Sequence, residues 1–522
     1  MRKMKDLTSS VYTFENLRNG DFLYVDKTEF LWKLIKPANA MYFLSRPRRF
    51  GKSLTVSTLK AIFQGKKELF KGLAIYDKPY DWKKHPVIHL DNGNCNVSSA
   101  DELKNYLSAQ LENIAISCGL KLRGKDLSTN FQFLIEDLAK DAPVVILVDE
   151  YDKPILSNIT NPNAREILNV LKGFYSSIKT CDRKIRFAFV TGVTKFCHVS
   201  LFSDLNNLND ISMDADYATM LGYTQEEFEA NFTEWIAETE KTQNLPHDEF
   251  LAKIKEWYDG YKFHARAESV YNPVSVANFF TKHGEFNNYW FSTGTPTFLL
   301  NLIKQEEMDL RNVLSEPVDI FSFGSFEIDN VPPLMLLLQT GYLTIKSSVI
   351  EFGQTQYQLD FPNREVSESF NVYLLNAYSK TSQGEVSSFC KQLSRSVVSG
   401  DLPKFQQAME VFFAGIPYDV HRKSEANFQN IFFSIFKLLG FNIHAESRTS
   451  DGRIDAVLET DKFIYLFEFK LDKDDSALSQ IKEKEYFKPY LLSPKKITLV
   501  GANFDTDSGK LSDWQQEEVI SR

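Results

Sequence analysis

Over its first two hundred residues the chain alternates short apolar runs with stretches of helical period. Met41-Tyr42-Phe43-Leu44, closed by Ser45, has the pattern of a buried strand. After it, Leu54, Leu59 and Phe63 recur at roughly helical spacing. Val87-Ile88-His89-Leu90 predicts a second strand, and the stretch from about Asp101 to Cys118 a helix. Val144-Val145-Ile146-Leu147-Val148 is apolar at every position, as a strand covered on both faces must be. Ile185-Arg186-Phe187-Ala188-Phe189-Val190 adds another strand. Strands alternating with helices predict a doubly wound parallel sheet. From about Gly222 to Phe413 the pattern is mostly helical, broken at Asn272-Pro273 and Gly294-Thr295-Pro296. Near the end, Phe428, Ile431, Phe432, Ile435 and Leu439 share one helical face between Ser424 and Gly440. Phe441-Asn442-Ile443-His444 and Arg453 to Leu458 then read as a hairpin around Ser450-Asp451-Gly452. Phe463 to Lys470 is a further strand, and Ala477 opens a helix.

Composition narrows the class. The 522 residues are 43% hydrophobic and 14% aromatic, enough for several cores, so global disorder is excluded. No apolar run approaches the roughly 18–20 residues of a membrane span, and no apolar stretch follows the basic N-terminus. Five scattered cysteines (Cys95, Cys118, Cys181, Cys197, Cys390) without a C-x-x-C pair argue against a disulfide framework and for a reducing cytoplasm. His85 and His89 are four apart, but on a strand that spacing does not make a helical zinc-ligand pair. The net charge of −9 excludes a protein that coats nucleic acid with a uniformly basic surface. Its distribution is uneven. Residues 1–60 carry 12 Lys and Arg against 5 Asp and Glu, residues 421–522 carry 15 against 17, and the middle holds the remaining −14.

The basic end contains Arg46-Pro47-Arg48-Arg49-Phe50-Gly51-Lys52-Ser53 between a predicted strand and a predicted helix. Strand, loop, Gly-Lys-Ser, helix is the order of a P-loop. Backbone N–H groups at the helix N-terminus face phosphate oxygens, Lys52 reaches the terminal phosphates, and the Ser53 hydroxyl holds Mg²⁺. The motif's first Gly falls at Arg46. About a hundred residues later the apolar strand ends in Asp149-Glu150. There Asp149 would order the Mg²⁺ shell and Glu150 polarise an attacking water. Thr191, at the end of the 185–190 strand, is either a sensor of the γ-phosphate or a strand-end cap.

Tyr24-Val25-Asp26-Lys27-Thr28, Arg46 to Ser53 and Asp149-Glu150-Tyr151-Asp152-Lys153-Pro154 together resemble the AAA-ATPase-like family of bacterial P-loop proteins, over about residues 8–215. That family itself uses Arg-Pro-Arg-Arg-Phe where other P-loops have a Gly-led loop. The resemblance implies ATP as ligand, held by Arg48, Arg49, Phe50, Gly51, Lys52 and Ser53 with Asp149 and Thr191. It also implies a C-terminal nuclease-like domain, which members of the family often carry. Glu256 to Phe263 and Gln339 to Ile345 resemble recurrent segments of the same family; by composition alone they are aromatic packing motifs.

In the last segment, Glu468 and Lys470 lie two apart on a strand, so they share a face with Ile464 and Leu466. Charged groups in such an apolar run are costly unless paired or used. Asp455, twelve intervening residues, Glu468, one residue and Lys470 form the set that metal-dependent phosphodiester cleavage requires. Two carboxylates hold Mg²⁺ and the Lys orients the water or offsets developing charge. Glu425, on the preceding helix, would complete the metal shell, and Gln480, on the following one, would face the site. Residues 420–505 resemble the PD-(D/E)xK nuclease superfamily, with Asp455 matching its metal-binding Asp, Glu468-Phe469-Lys470 its Glu-x-Lys, and Gln480 the residue opening its next helix. Ile454 stands where the superfamily has Pro.

The expectation is therefore an α/β protein of three parts. Residues 1–215 form a P-loop three-layer α/β/α domain, 216–415 a mostly helical lid or linker, and 420–522 an α/β nuclease-like domain. The expected function is ATP binding coupled to Mg²⁺-dependent cleavage of nucleic acid, DNA before RNA by resemblance, without a membrane partner and with self-association left open. The competing readings are an ATP-dependent switch or scaffold whose nuclease-like domain binds without cutting, and an uncoupled ATPase with a structural tail.

Overall fold

The computed structural model describes residues 4–195, 208–290, 297–327, 331–379, 381–416, 425–439, 448–449, 452–472, 476–505 and 510–519. Cys197 and the expected strand at 441–444 lie outside them, as does the Glu425 side chain. The chain forms two compact units, residues 1–290 with 318–364 and residues 291–317 with 365–522, so the stretch 216–415 is divided between them.

The first unit is built on β1 (Ala40–Ser45), β2 (Val87–Asp91), β3 (Val144–Asp149), β4 (Ile185–Gly192) and β5 (Leu208–Asp210), in spatial order β2-β3-β4-β1-β5 and parallel throughout. The unbroken apolar runs predicted central strands, and β1, β3 and β4 are buried almost end to end. Helices α1 (Lys52–Phe63), α2 (Ala100–Ser117), α3 (Leu127–Leu138) and α4 (Ala164–Thr180) connect the strands. Both α2 and α3 are capped at their N-termini by side chains. Ser99 accepts from the Glu102 N–H, and Asp126 forms a capping box with Thr129.

The helical stretch beyond the sheet packs its own aromatic core. It comprises α5 (Gln225–Gln243), α6 (His247–Tyr258), α7 (Pro273–Thr281) and α8 (Pro333–Thr340). Phe228, Phe232, Tyr258, Tyr271, Phe279 and Phe280 are all buried in that cluster. One element departs from the helical expectation, the antiparallel hairpin β6 (Thr344–Glu351) and β7 (Gln354–Asp360). Its residues are β-branched enough to favour strand, and a two-residue turn with Phe352 at φ 50° and Gly353 at φ 80° sets the twist of a tight hairpin.

The second unit carries helices at Thr297–Gln305 and Leu310–Ser315, then α9 (Arg364–Ser379, whose first residue belongs to the first unit), α10 (Gln383–Ser399), α11 (Leu402–Ala414) and α12 (Glu425–Leu438). Its sheet has the order β8 (Ala456–Glu459), β9 (Phe463–Leu471), β10 (Lys496–Asp505) and β11 (Lys510–Val519). The β9–β10 pair is parallel and the outer pairs antiparallel. The two faces of β9 do different work. Phe467 and Phe469 meet Phe405, Phe432 and Phe436 of α11 and α12, with Phe432 stacked on Phe469 at 4.0 Å. Ile464 and Leu466 face the other way, into the cluster containing Ile481 and Tyr486. Between β9 and β10 lies α13 (Ala477–Glu483), which comes so near the sheet that a Cβ at Gly501 would sit 2.3 Å from the Leu478 nitrogen. No helix among the described residues is long and apolar enough to cross a membrane.

Candidate functional site

The loop between β1 and α1 folds without a glycine at its first position. Arg46 has no positive φ, and its N–H continues the parallel ladder to the Gly192 carbonyl at 3.1 Å. Its side chain, 1% exposed, turns into the protein. The guanidinium donates to the carbonyls of Ser45 (3.0 Å), Ser212 (2.5 Å) and Tyr217 (3.2 Å) and lies 4.1 Å from the Phe263 ring centre. Burial pushes it down to about 9, partly offset by Asp210. The left-handed turns fall later, at Arg49 (φ 67°) and Gly51 (φ 90°, the N-cap of α1). Alternating backbone of this kind points successive N–H groups to one side, an anion-binding nest at a helix N-terminus.

Lys52 is buried beneath this loop and donates to the Arg46 and Pro47 carbonyls, both at 2.9 Å. Burial lowers its pKa, against the pull of Glu150, Asp149 and Asp152. Asp149 ends β3 at 4% exposure and accepts a hydrogen bond from Ser53. Burial pushes its carboxyl up to about 6, and its Oδ1 has no hydrogen-bond partner among the described residues. A buried carboxylate oxygen left open beside a serine hydroxyl and a lysine fits a hard divalent cation, which takes oxygen ligands and keeps several waters. Glu150 follows with φ 51° and is half-buried near Asp91, the residue paired with Asp149 across β2 and β3.

The remaining residues of the predicted set have other engagements. Thr191 is fully buried, and its hydroxyl donates to the Leu44 carbonyl at 2.9 Å, tying β4 to β1. Arg48 is exposed, and Arg49 donates to the Tyr289 carbonyl at 3.0 Å. Phe50 is buried, with Tyr261 and Phe263 edge-on at 4.7 and 5.4 Å. Sequence reading did not single out Asp152, which accepts from the N–H groups of Val193 and Thr194 and from the Thr194 hydroxyl (2.8 Å). It fixes the loop after β4.

In the second unit Asp455 precedes β8 and lies beside Glu468 of β9. The strand expected over 453–458 breaks here. The Asp455 N–H donates to Glu468 Oε2 at 3.4 Å instead of joining the ladder, and Asp455 Oδ2 accepts from the Phe469 N–H at 2.8 Å. Gln480, carried in by α13, donates to Glu468 Oε1. Lys470 follows on the same face of β9 as Glu468 and is half-buried. Burial first, and the Asp455 charge second, push the Glu468 carboxyl up to about 8. Two adjacent carboxylates are a hard-oxygen donor pair of the kind Mg²⁺ uses when waters and phosphate oxygens fill its other positions. Two further residues join the site without any local sequence signal. Arg311 donates to Asp455 Oδ1 at 3.1 Å. Gln429, on α12 four residues beyond Glu425, lines a small cavity with Arg311 and Asp455, and its Oε1 is buried without a hydrogen-bond partner among the described residues.

A protein described as "Uncharacterized protein in vnfD 5'region", from Azotobacter chroococcum mcd 1, is 38% identical over 517 residues, covering 97% of each chain. Residues 9–202 match the family model for predicted AAA-ATPases. The chain belongs to the AAA-ATPase-like family. Residues 423–514 match the PD-(D/E)XK nuclease superfamily. The AAA-ATPase-like match spans the nest, Lys52, Ser53, Asp149 and Glu150. The nuclease-superfamily match spans Asp455, Glu468, Lys470 and Gln480 but not Arg311.

Proposed function

We propose that this AAA-ATPase-like protein binds ATP in the nest at Arg48–Ser53 and cleaves DNA at Asp455, Glu468 and Lys470 with Mg²⁺, nucleotide state controlling the cleavage. The observation that carries the reading is the buried Glu468 beside the half-buried Asp455, with Lys470 on the same strand face as Glu468, a costly grouping that a structural role does not call for. At the first site, the α1 N-terminus and the left-handed turns present N–H groups to the phosphates. Lys52, holding two loop carbonyls, is positioned to turn its ammonium to the terminal phosphate, and Ser53 with Asp149 would hold the cation. Glu150 would accept the proton of an attacking water.

At the second site Asp455 and Glu468 would hold Mg²⁺, which supplies charge neutralisation at the scissile phosphate and a more acidic water. Gln480 orients Glu468, and Lys470 would orient the water or offset charge on the phosphate. DNA is placed before RNA by the family resemblance alone.

Incubation with Mg²⁺ and linear, circular or single-stranded DNA, or RNA, tests the proposal. Cleavage is expected to fall by about a hundredfold or more in Lys470→Ala, as for loss of a charge-stabilising donor, with ATP binding retained. ATP binding is expected to be lost in Lys52→Ala. Cleavage unchanged in Lys470→Ala refutes the nuclease assignment. Binding of nucleic acid without cleavage under all conditions favours the switch or scaffold reading.

A further inference from the structure

Both oxygens of the Asp455 carboxylate are closed by donors of this chain. Oδ2 accepts from the Phe469 backbone, a contact that comes with the strand. Oδ1 accepts from the side chain of Arg311, which reaches in from the helix Leu310–Ser315, 144 residues earlier in sequence. That helix is held firmly. The Asn430 side chain, fully buried on α12, accepts from the Leu310 N–H at 2.9 Å and donates to the Met308 carbonyl at 2.7 Å. Asp309 takes a second arm of the guanidinium at 3.3 Å.

We propose that Arg311 is a latch on the nuclease-like site, its guanidinium occupying the Asp455 oxygen that a divalent cation would take, so that cation and Arg311 compete. The proposal rests on the reading of Asp455 as a metal ligand. A charge-assisted hydrogen bond holds the guanidinium on Asp455, so a cation taking the same oxygen must displace it. A cation on Asp455 would also face the arginine charge at close range, which a partly buried site screens poorly. The arginine has somewhere to go. Asp309 already shares it at 3.3 Å and remains to hold its charge. Neither closed nor open arrangement therefore strands a bare charge, which is what a reversible latch needs.

The test measures Mn²⁺ binding to the full chain without nucleotide, by calorimetry and by paramagnetic resonance, with Asp455→Asn defining the part due to this site. Arg311→Gln is expected to tighten Asp455-dependent binding roughly tenfold, the factor by which a mostly closed site weakens its ligand. Arg311→Lys keeps the charge without the planar fork and is expected to fall between. Melting curves without metal check that each variant folds, and Arg311→Lys carries the comparison if Arg311→Gln does not. Equal or weaker Mn²⁺ binding after loss of the arginine overturns the latch and leaves Asp455 as a metal ligand. No Asp455-dependent Mn²⁺ binding in any folded variant overturns the metal reading and the latch with it.

Discussion

Gly341→Ala tests whether the segment Gln339–Ile345 braces the phosphate loop. Gly341 ends α8 with φ 88°, and a Cβ there would lie 2.7 Å from both Cβ and Cγ of Pro47 and 3.3 Å from Tyr261 Cε1. Two costs follow. An L-residue in left-handed backbone costs about 1–2 kcal/mol. Pushing a methyl into a rigid proline ring adds about 1–3 kcal/mol of overpacking. Gly353 separates them, because at φ 80° in the β6–β7 turn it carries the backbone cost with nothing among the described residues within 4 Å of its Cβ. Gly353→Ala is thus expected to lose about 1–2 kcal/mol and Gly341→Ala about 2–5 kcal/mol in urea unfolding. Only Gly341→Ala displaces Pro47, whose carbonyl holds Lys52, so only that variant is expected to bind a fluorescent ATP analogue more weakly. Equal stability losses and equal nucleotide affinities in the two variants would refute the brace.

Two acids three residues apart are expected to behave oppositely. Asp152→Ala orphans the buried N–H groups of Val193 and Thr194 and is expected to cost about 1–3 kcal/mol in denaturant melts. Asp149→Ala removes a carboxyl that burial raises, so stability at pH 7 is expected to hold or rise by about 1–3 kcal/mol while Mg²⁺-dependent ATP binding is lost. A matching stability loss in Asp149→Ala would contradict this account. Glu468 gives a pH dependence. Its folded pKa, about 8, lies above the ordinary carboxyl value, so its contribution to stability is full below pH 4.5 and is lost as pH rises through 8. Metal binding has the opposite slope and is expected to strengthen between pH 6 and pH 9 in Mn²⁺ titrations. Asp455→Asn removes the second cause and is expected to move the metal-free stability change to lower pH; an unmoved profile would show that Asp455 does not act on Glu468.

What the sequence revealed was what it encodes locally. The strand–loop–helix around Gly51-Lys52-Ser53 and the apolar strand ending in Asp149 are contiguous, and their period is set by backbone geometry. The face shared by Glu468 and Lys470 follows from strand alternation alone. Arg46 in place of glycine was readable only by resemblance, because its physical reason is the distant carbonyls of Ser212 and Tyr217 that receive its side chain. The hairpin β6–β7 went unread because its surface is largely exposed, with Ile350 at 78%, so no buried stripe marks its period. Arg311 had no signal, since an ion pair across 144 residues leaves no pattern near either partner. Thr191 and Asp152 exchange expectation for geometry in a similar way, one hydroxyl bound to Leu44 and one carboxylate bound to a loop that only folding brings near.

The central claim is that the nucleotide site governs the nuclease-like site. It is tested most directly by the rate of Mg²⁺-dependent DNA cleavage as ATP is titrated, in the unaltered chain and in Lys52→Ala side by side. The account predicts a rate that changes with ATP in the unaltered chain and stays flat in Lys52→Ala. The same rate at every ATP concentration in both proteins would contradict it.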